Sequence, residues 1–373
     1  DVYKRQVPGL NADDLIAAAP GIDDLAILTA ESRPPVGSSD LTPEGIFDVA
    51  RRVQELADSG AADGVVITQG TYSLEETSFL MDLLLDPPIP VVMMGAMRHP
   101  LAISPDGAGN LAHAVRLASD PRVAKRFRDL GVMVTMLDQA WAAVDVAKAN
   151  SHRIDAFTAP ETGPVAVFLE DRCRLVSFPD RAWKRAVQRF DFLARVDPAA
   201  LAAKPVALAT IAMGEAGGWL SAMAADDDLF GYRGLVLGGL GGGHVPARVV
   251  PPLVDLLARV PVVMAGRMGS GYLLQKTYGV PGSEIDLVGR GFAYAGRLPP
   301  STPHQSKRWL TDSFRWIRLI PSPRRVETLN TVILGNNWPS ASGIVSVSTT
   351  LVIGAFLSRS IAGPQSTPCV AAT

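Results

Sequence analysis

The strongest constraint on the fold is a repeated alternation between short apolar runs and segments of helical periodicity. The apolar runs span residues 64–68, 89–97, 131–137, 206–211, 234–240 and 260–265. Residues 43–57 illustrate the helical pattern, because Ile46, Val49 and Val53 fall on one face. Thr42 before Pro43 is the expected cap of that helix. Strands that alternate with helices in this way are typical of βαβ units around a parallel sheet.

The chain has 373 residues, which is more than one hydrophobic core usually fills. A charged, proline-containing stretch separates the first three apolar runs from the last three. Beyond residue 300 the alternation stops, and arginine, lysine and tryptophan accumulate. This end is either an accessory segment or the product of a changed reading frame. We therefore predict an N-terminal domain over residues 1–190, a linker over 191–205, a C-terminal domain over 206–300 and an atypical tail over 301–373.

Charge and hydropathy exclude several classes of function. A net charge of -2 argues against a nucleic-acid or anionic-membrane surface. The sequence has no uninterrupted apolar stretch of the roughly 18 residues that a membrane span needs. Cys173 and Cys369 lack the spacing of a zinc site or a redox motif. The sequence begins at Asp1 rather than at a methionine, so a missing N-terminus could have carried a signal peptide. The compartment therefore stays open, with the cytoplasm favoured.

The glycine-rich run 238–243 suggests a dinucleotide site at first sight. A G-x-G-x-x-G motif that starts at Gly239 would need its last glycine where His244 stands. The five histidines also lack metal-ligand spacing. We therefore predict neither a cofactor nor a metal.

Residues 69–72 directly follow the apolar run 64–68. In a parallel sheet they would lie beyond the carboxyl end of a strand, where open α/β folds bind ligands. Ser73 and Glu76 have capping-box spacing, which predicts the start of the next helix. Glu75 and Glu76 in its first turn are expected to interact with the helix dipole rather than to act as acid and base.

Thr71 offers a hydroxyl in this loop. A threonine hydroxyl reacts only with a base beside it, and a partly desolvated lysine is one established base. Lys148 follows the apolar run 131–137 and can reach the same edge of the sheet. The alternative is a solvated surface lysine, which spacing alone favours.

Residues 63–77 resemble the second signature of bacterial-type asparaginases, the asparaginase/glutaminase family, in which a strand precedes H-G-T-D-T-[LM]-E-E-T. Further segments match this family in the same order: 37–41, 90–98, 104–107 with Asn110, 145–150, 163–164, 241–245 and 277–286. A single match would be weak evidence. The ordered set is specific to the family.

The resemblance implies hydrolysis of L-asparagine to L-aspartate and ammonia through a threonine acyl-enzyme, without a metal or cofactor. It implies an α/β fold of two domains with parallel sheets, a larger Rossmann-like N-terminal domain and a smaller flavodoxin-like C-terminal domain. A homo-oligomer, dimer or tetramer, would complete each site. By position the resemblance assigns Thr71 to the family's second catalytic threonine and Lys148 to its catalytic lysine. It assigns substrate binding to Ser38, Ser39 and Gly70, and a subunit interface to His244 and Glu284.

Two departures from the family pattern bear on activity. Tyr72 stands where the family has an aspartate that contacts the substrate's α-ammonium group, and a phenol is neutral near pH 7. Gln69 replaces a histidine, which is a milder change. The family's first strand ends in T-G-G-T, and the last threonine of this motif is the family's first nucleophile. Nothing before Pro8 matches it, so this nucleophile cannot be named in the chain, and residues 1–6 resemble foreign sequence joined to a fragment. The missing strand predicts an open sheet edge or a gap in the core.

These departures predict that the chain itself is impaired as a catalyst. The alternative is a non-catalytic two-domain protein that binds a small molecule. A T-G-G-T strand in the upstream reading frame would favour the enzyme.

Overall fold

The structure is a computed structural model that describes residues 11–86, 88–184 and 191–298, and the backbone of 351–356. Residues 1–6 and the rest of the predicted tail lie outside the described residues. The helices are α1 (Ala12–Ala17), α2 (Pro43–Asp58), α3 (Leu74–Leu84), α4 (Gly107–Ala118), α5 (Pro121–Ala124), α6 (Phe127–Leu130), α7 (Phe192–Arg195), α8 (Pro198–Ala202), α9 (Gly218–Ala225), α10 (Val250–Arg259) and α11 (Glu284–Gly289). Single-turn 3-10 helices span Ile22–Asp24, Leu229–Gly231 and Ala247–Val249.

The strands form one large sheet, one smaller sheet and one isolated pair. They are β1 (Ile27–Ser32), β2 (Gly64–Thr68), β3 (Val91–Met94), β4 (Met133–Met136), β5 (Gln139–Ala142), β6 (Ala147–Lys148), β7 (Phe157–Thr158), β8 (Ala166–Leu169), β9 (Arg172–Leu175), β10 (Ala207–Thr210), β11 (Leu235–Gly239), β12 (Val262–Gly266), β13 (Ala293–Tyr294) and β14 (Leu351–Phe356). Each of the six predicted apolar runs overlaps one of these strands. The predicted α/β fold class is confirmed, and every strand of the larger sheet except β14 precedes the smaller sheet in the chain.

The larger sheet has the order β1-β14-β2-β3-β4-β5-β8-β9. Its centre, β2 to β4, is parallel, whereas β5, β8 and β9 each pair antiparallel with the strand before them. The sheet is therefore mixed, whereas the sequence predicted a parallel one. Instead of the expected gap, β14 lies between β1 and β2 and runs antiparallel to both.

A two-residue turn between β4 and β5 reverses the chain and makes the sheet mixed. Leu137 in this turn has a φ of 53°, a conformation that non-glycine residues seldom adopt. Its N–H donates to Asn110 Oδ1 at 2.7 Å, and its carbonyl oxygen lies 2.6 Å from His113 Nδ1. Since both partners belong to α4, this helix holds the turn that ends the parallel part of the sheet.

The smaller sheet, β10-β11-β12-β13, is wholly parallel, as predicted. Alternate side chains of β11 point to opposite faces, because strand side chains have a period of two. Leu235 and Leu237 pack in a core with α9 and α10, whereas Val236 joins the core of the larger sheet. The smaller sheet is thereby packed against the N-terminal part of the chain.

Sequence-level capping signals succeeded at one helix and failed at another. Thr42 Oγ1 accepts the N–H of Gly45 at the start of α2, as predicted. The predicted capping box of α3 is wrong, because Ser73 Oγ instead donates to the carbonyl oxygen of Ser38 at 2.6 Å. None of the helices in the described part of the chain has the length and hydropathy that a membrane crossing requires.

Candidate active site

Thr71 and Lys148 lie in direct contact, although the 76 residues from 72 to 147 lie between them in the sequence. Thr71 is in the loop between β2 and α3, and Lys148 ends the short strand β6. Lys148 Nζ donates to Thr71 Oγ1 at 2.8 Å. Thr71 is buried and Lys148 is half-buried. The structure thus brings together the hydroxyl and the amine that the sequence suggested, and Lys148 is not a freely solvated surface lysine.

The loop after β3 limits where Thr71 can lie. A Cβ at Gly95 would be 2.8 Å from the carbonyl oxygen of Gln69 and 2.9 Å from Thr71 Cγ2, so only glycine fits without displacement. Asn110 Nδ2 donates to the carbonyl oxygen of Gly95 at 2.9 Å and to Asp106 Oδ2 at 3.0 Å. No local pattern in the sequence signals this close approach, because it joins two loops that are distant along the chain.

Glu75 is a second contact of Lys148, whereas the sequence predicted only an interaction of Glu75 with the helix dipole. Its carboxylate accepts the main-chain N–H of Lys148. Burial raises the pKa of Glu75, and the N–H and positive charge of Lys148 only partly oppose that rise. Burial likewise lowers the pKa of Lys148, opposed by the charge of Glu75. The two partners are therefore shifted towards their neutral forms.

Tyr72 covers the amine from another side. Lys148 Nζ lies 4.9 Å from the centroid of the Tyr72 ring and 5.9 Å from that of Phe157, within the range of cation–π attraction. The Tyr72 side chain is 52 % exposed. The residue that departs from the family pattern thus forms a solvent-facing wall beside the Thr71 and Lys148 contact.

The three predicted substrate-binding residues differ in their surroundings. Ser38 is buried, and its Oγ accepts the main-chain N–H of Tyr72 at 3.3 Å. Gly70 lies between Gln69 and Thr71 and is half-buried. Ser39 is exposed and its Oγ contacts Asp40 Oδ2 at 3.4 Å. Ser38 and Gly70 are therefore next to Thr71, whereas Ser39 forms its hydrogen bond with the adjacent residue Asp40.

His244 and Glu284 form a separate cluster in the loops of the smaller sheet. His244 Nε2 lies 2.7 Å from Glu284 Oε2, and Glu284 Oε1 accepts the N–H groups of Thr277 and Tyr278. Glu284 is fully buried within this chain. Burial by itself would raise the pKa of Glu284, but the N–H groups and His244 outweigh it and lower that pKa. The predicted interface role of these two residues stays a prediction.

An ion pair joins the smaller sheet to the segment that carries Lys148. Arg297, which follows β13, pairs with the buried carboxylate of Asp145, three residues before Lys148. Burial lowers the pKa of Arg297. Glu161 Oε1 also accepts the N–H of Gly271 at 2.8 Å. The position of the lysine segment therefore depends on contacts from both parts of the chain.

The mixed sheet thus carries, beyond the end of the parallel strand β2, a threonine hydroxyl that is hydrogen-bonded to a lysine. A family model described as Asparaginase, N-terminal, matches residues 2–180. Glutaminase-asparaginase from Pseudomonas aeruginosa is 31 % identical over 279 residues, which cover 74 % of this chain and 72 % of that relative. L-asparaginase 2 from Escherichia coli is 28 % identical over 296 residues, 78 % of each chain.

A solved structure agrees with these sequence relatives. The crystal structure of a probable cytoplasmic L-asparaginase from Campylobacter jejuni matches with a TM-score of 0.70 and 27 % identity, and the match covers 86 % of this chain and 90 % of that one. The chain belongs to the asparaginase and glutaminase-asparaginase family of amidohydrolases.

Proposed function

We propose that this protein hydrolyses the side-chain amide of L-asparagine or a close analogue, releasing ammonia, through an acyl-enzyme on threonine. The observation that carries the proposal is the 2.8 Å hydrogen bond between Lys148 Nζ and Thr71 Oγ1. Burial, which lowers the pKa of Lys148, increases the fraction of neutral amine that can accept a proton.

In the proposed reaction, Thr71, which matches the family's second catalytic threonine, serves as the nucleophile of this chain. Neutral Lys148 takes the proton of the Thr71 hydroxyl as Thr71 Oγ1 attacks the amide carbon. The C–N bond then breaks, and the departing nitrogen receives that proton and leaves as ammonia. Water attacks the resulting ester, and Lys148 transfers a proton from the water to Thr71 Oγ1 as the ester bond breaks. Atoms balance, since one amide and one water give one acid and one ammonia.

Tyr72 bears on the choice of amide. An aspartate at this position could pair with a substrate α-ammonium group, whereas the neutral, half-exposed phenol of Tyr72 offers only a ring face and a hydroxyl. The positive charge that Lys148 carries when protonated adds to the repulsion of a second ammonium. We therefore propose that free asparagine is a poor substrate and that an amide without the α-amine is relatively favoured.

Ammonia release from asparagine, glutamine and succinamate, which is asparagine without its α-amine, tests both proposals. Thr71→Ala is expected to abolish turnover of every amide. Tyr72→Asp is expected to raise the ratio of asparagine to succinamate turnover, while Tyr272→Asp, which alters another exposed tyrosine, leaves it unchanged. If asparagine turns over faster than succinamate and Tyr72→Asp leaves that ratio unchanged, the specificity proposal is wrong. Binding of these amides without any turnover would support the non-catalytic alternative.

We further propose that the protein is a homo-oligomer, dimer or tetramer, in which His244 lies at a subunit interface. The His244 side chain is 30 % exposed, so it can reach a neighbour, whereas the buried Glu284 would act by orienting His244. Sedimentation equilibrium of the wild type and of His244→Asp tests this. A monomer in the wild type at micromolar concentration would contradict it.

A further inference from the structure

Glu75 is placed to act on Lys148 in a way that its position in the sequence does not reveal. It lies in the first turn of α3, four residues after Thr71. Its carboxylate reaches across to the main-chain N–H of Lys148, while the side chain of Lys148 returns to Thr71. The two bonds close a ring through Thr71, Glu75 and Lys148, so a shift of the lysine strand would strain both.

The strand that carries Lys148 has little support from its own two-stranded sheet. It has two residues, Ala147 and Lys148, and its partner strand is the equally short Phe157–Thr158. A two-stranded ribbon of this size has little stability of its own. The ion pair of Arg297 with Asp145 anchors the segment on one side, and the bond from Glu75 ties the Lys148 backbone to α3.

Glu75 also places a negative charge beside the lysine. The titratable groups that face Lys148 are Glu75 from α3 and the phenol of Tyr72 from the preceding loop, and Phe157 on β7 adds an apolar face. Since Tyr72 contributes only a ring face, Glu75 supplies the charge that favours the ammonium form of Lys148. A partly desolvated carboxylate acts more strongly than one in water.

We propose that Glu75 is a positioning residue, which fixes the Lys148 backbone and controls the charge of the Lys148 side chain. A glutamate with only a structural role would not control the charge of the Lys148 side chain. The proposal deepens the proposed function, on which it rests for its kinetic readout.

The decisive experiment is a titration of Lys148 by NMR with ¹³C-labelled lysine, in which Lys148→Arg assigns the signal. Glu75→Gln keeps an oxygen acceptor for the N–H and removes the charge. Its Lys148 midpoint is expected to fall by about half a pH unit to one unit, because a nearby opposite charge is lost. Glu76→Gln removes the same charge one residue further along, and is expected to leave the midpoint unchanged. Equal midpoints in wild type, Glu75→Gln and Glu76→Gln would overturn the proposal.

Glu75→Asp separates geometry from charge. It keeps the carboxylate but shortens it, so its Lys148 midpoint should stay closer to that of the wild type than the midpoint of Glu75→Gln does. If Glu75→Gln fails to fold, this variant still decides, because a midpoint that falls by a full unit although the charge is retained would contradict the proposal.

The kinetic readout distinguishes this inference from the proposed function. In an active enzyme the rising limb of kcat/KM against pH should move to lower pH in Glu75→Gln by the same amount as the NMR midpoint. If the wild type releases no ammonia but the NMR midpoint shifts, the proposed function fails and the role of Glu75 stands. If the wild type is active and the midpoint is unmoved, the reverse holds.

Discussion

Glu75 is half-buried and Glu284 is fully buried, and the pKa values of the two glutamates are shifted in opposite directions. Glu75 accepts the main-chain N–H of Lys148, and burial raises its pKa. Glu284 is fully buried, yet the N–H groups of Thr277 and Tyr278 and the ring of His244 lower its pKa. Glu284 has three donors and Glu75 has one main-chain donor, and each donor to the charged form lowers the pKa of a carboxyl group. Glu284 is therefore locked as a carboxylate, whereas Glu75 and its lysine can change charge.

The largest expected effect concerns Lys148, the lysine that Glu75 contacts. Lys148→Met is expected to lower kcat/KM for amide hydrolysis by about 10²- to 10⁴-fold, because the proton acceptor for Thr71 is lost. Steady-state ammonia release measures the change. Lys125→Met, at an exposed position, is the matched control and should retain wild-type activity. Equal activity of both variants would show that Lys148 is not the base.

The locked glutamate should matter for stability. Glu284→Ala removes the acceptor of three donors and is expected to lower the free energy of unfolding by about 2–3 kcal/mol. Urea denaturation followed by circular dichroism measures the loss. Glu75→Ala removes the acceptor of one main-chain N–H and should cost less, so a larger loss in Glu75→Ala than in Glu284→Ala would reverse the comparison.

The close approach of Gly95 to Thr71 predicts a smaller effect on catalysis. Gly95→Ala should displace Thr71 from Lys148 and lower kcat about tenfold, since catalysis is sensitive to small misplacements. Gly109→Ala is the matched control, because a Cβ at Gly109 meets nothing within 4 Å and alanine favours its helix α4. Loss of activity in both variants would indicate a general effect of added side chains.

The smallest expected effect is a difference of sign in the pH dependence of stability. Because the folded-state pKa of Glu284 is lowered, its stabilisation is present above its ordinary unfolded value and is lost as the pH falls through the folded value. Because the folded-state pKa of Glu75 is raised, its carboxylate destabilises the fold at neutral pH, and acidification relieves that penalty.

Urea unfolding of wild type, Glu284→Gln and Glu75→Gln at pH 7 and pH 4 tests this difference. The stability advantage of wild type over Glu284→Gln should shrink on acidification. Wild type should gain relative to Glu75→Gln over the same interval. Changes of equal sign would mean that the two carboxylates are not in opposite environments.

Much of the framework was predictable from the sequence. Buried strands such as Gly64–Thr68 are continuous apolar runs, which are typical of strands covered on both faces. The reversal into β5 and β8 was missed, because it depends on a turn that α4 holds through Asn110 and His113. Such long-range support leaves no local pattern.

The candidate site was predictable in part, for the same reason. Thr71 lies beyond the end of the parallel strand β2, as the predicted topology requires, whereas Lys148 lies on β6, outside the larger sheet. The hydrogen-bond partners of Ser73 and Glu75 could not be predicted from the sequence. Ser73 bonds to Ser38 instead of capping α3, and Glu75 bonds to Lys148 instead of acting only on the helix dipole. Each partner is distant along the chain, where sequence spacing carries no information.

The ion pair between Arg297 and Asp145 has a consequence for biosynthesis. A ribosome makes Thr71 and Lys148 well before it makes Arg297, and domains generally fold from the N-terminus as synthesis proceeds. The nascent chain therefore holds Asp145 without its cation while the second half is still being translated. The lysine segment gains this anchor only after the end of the smaller sheet has been synthesised, so the site matures well after its own residues have been made.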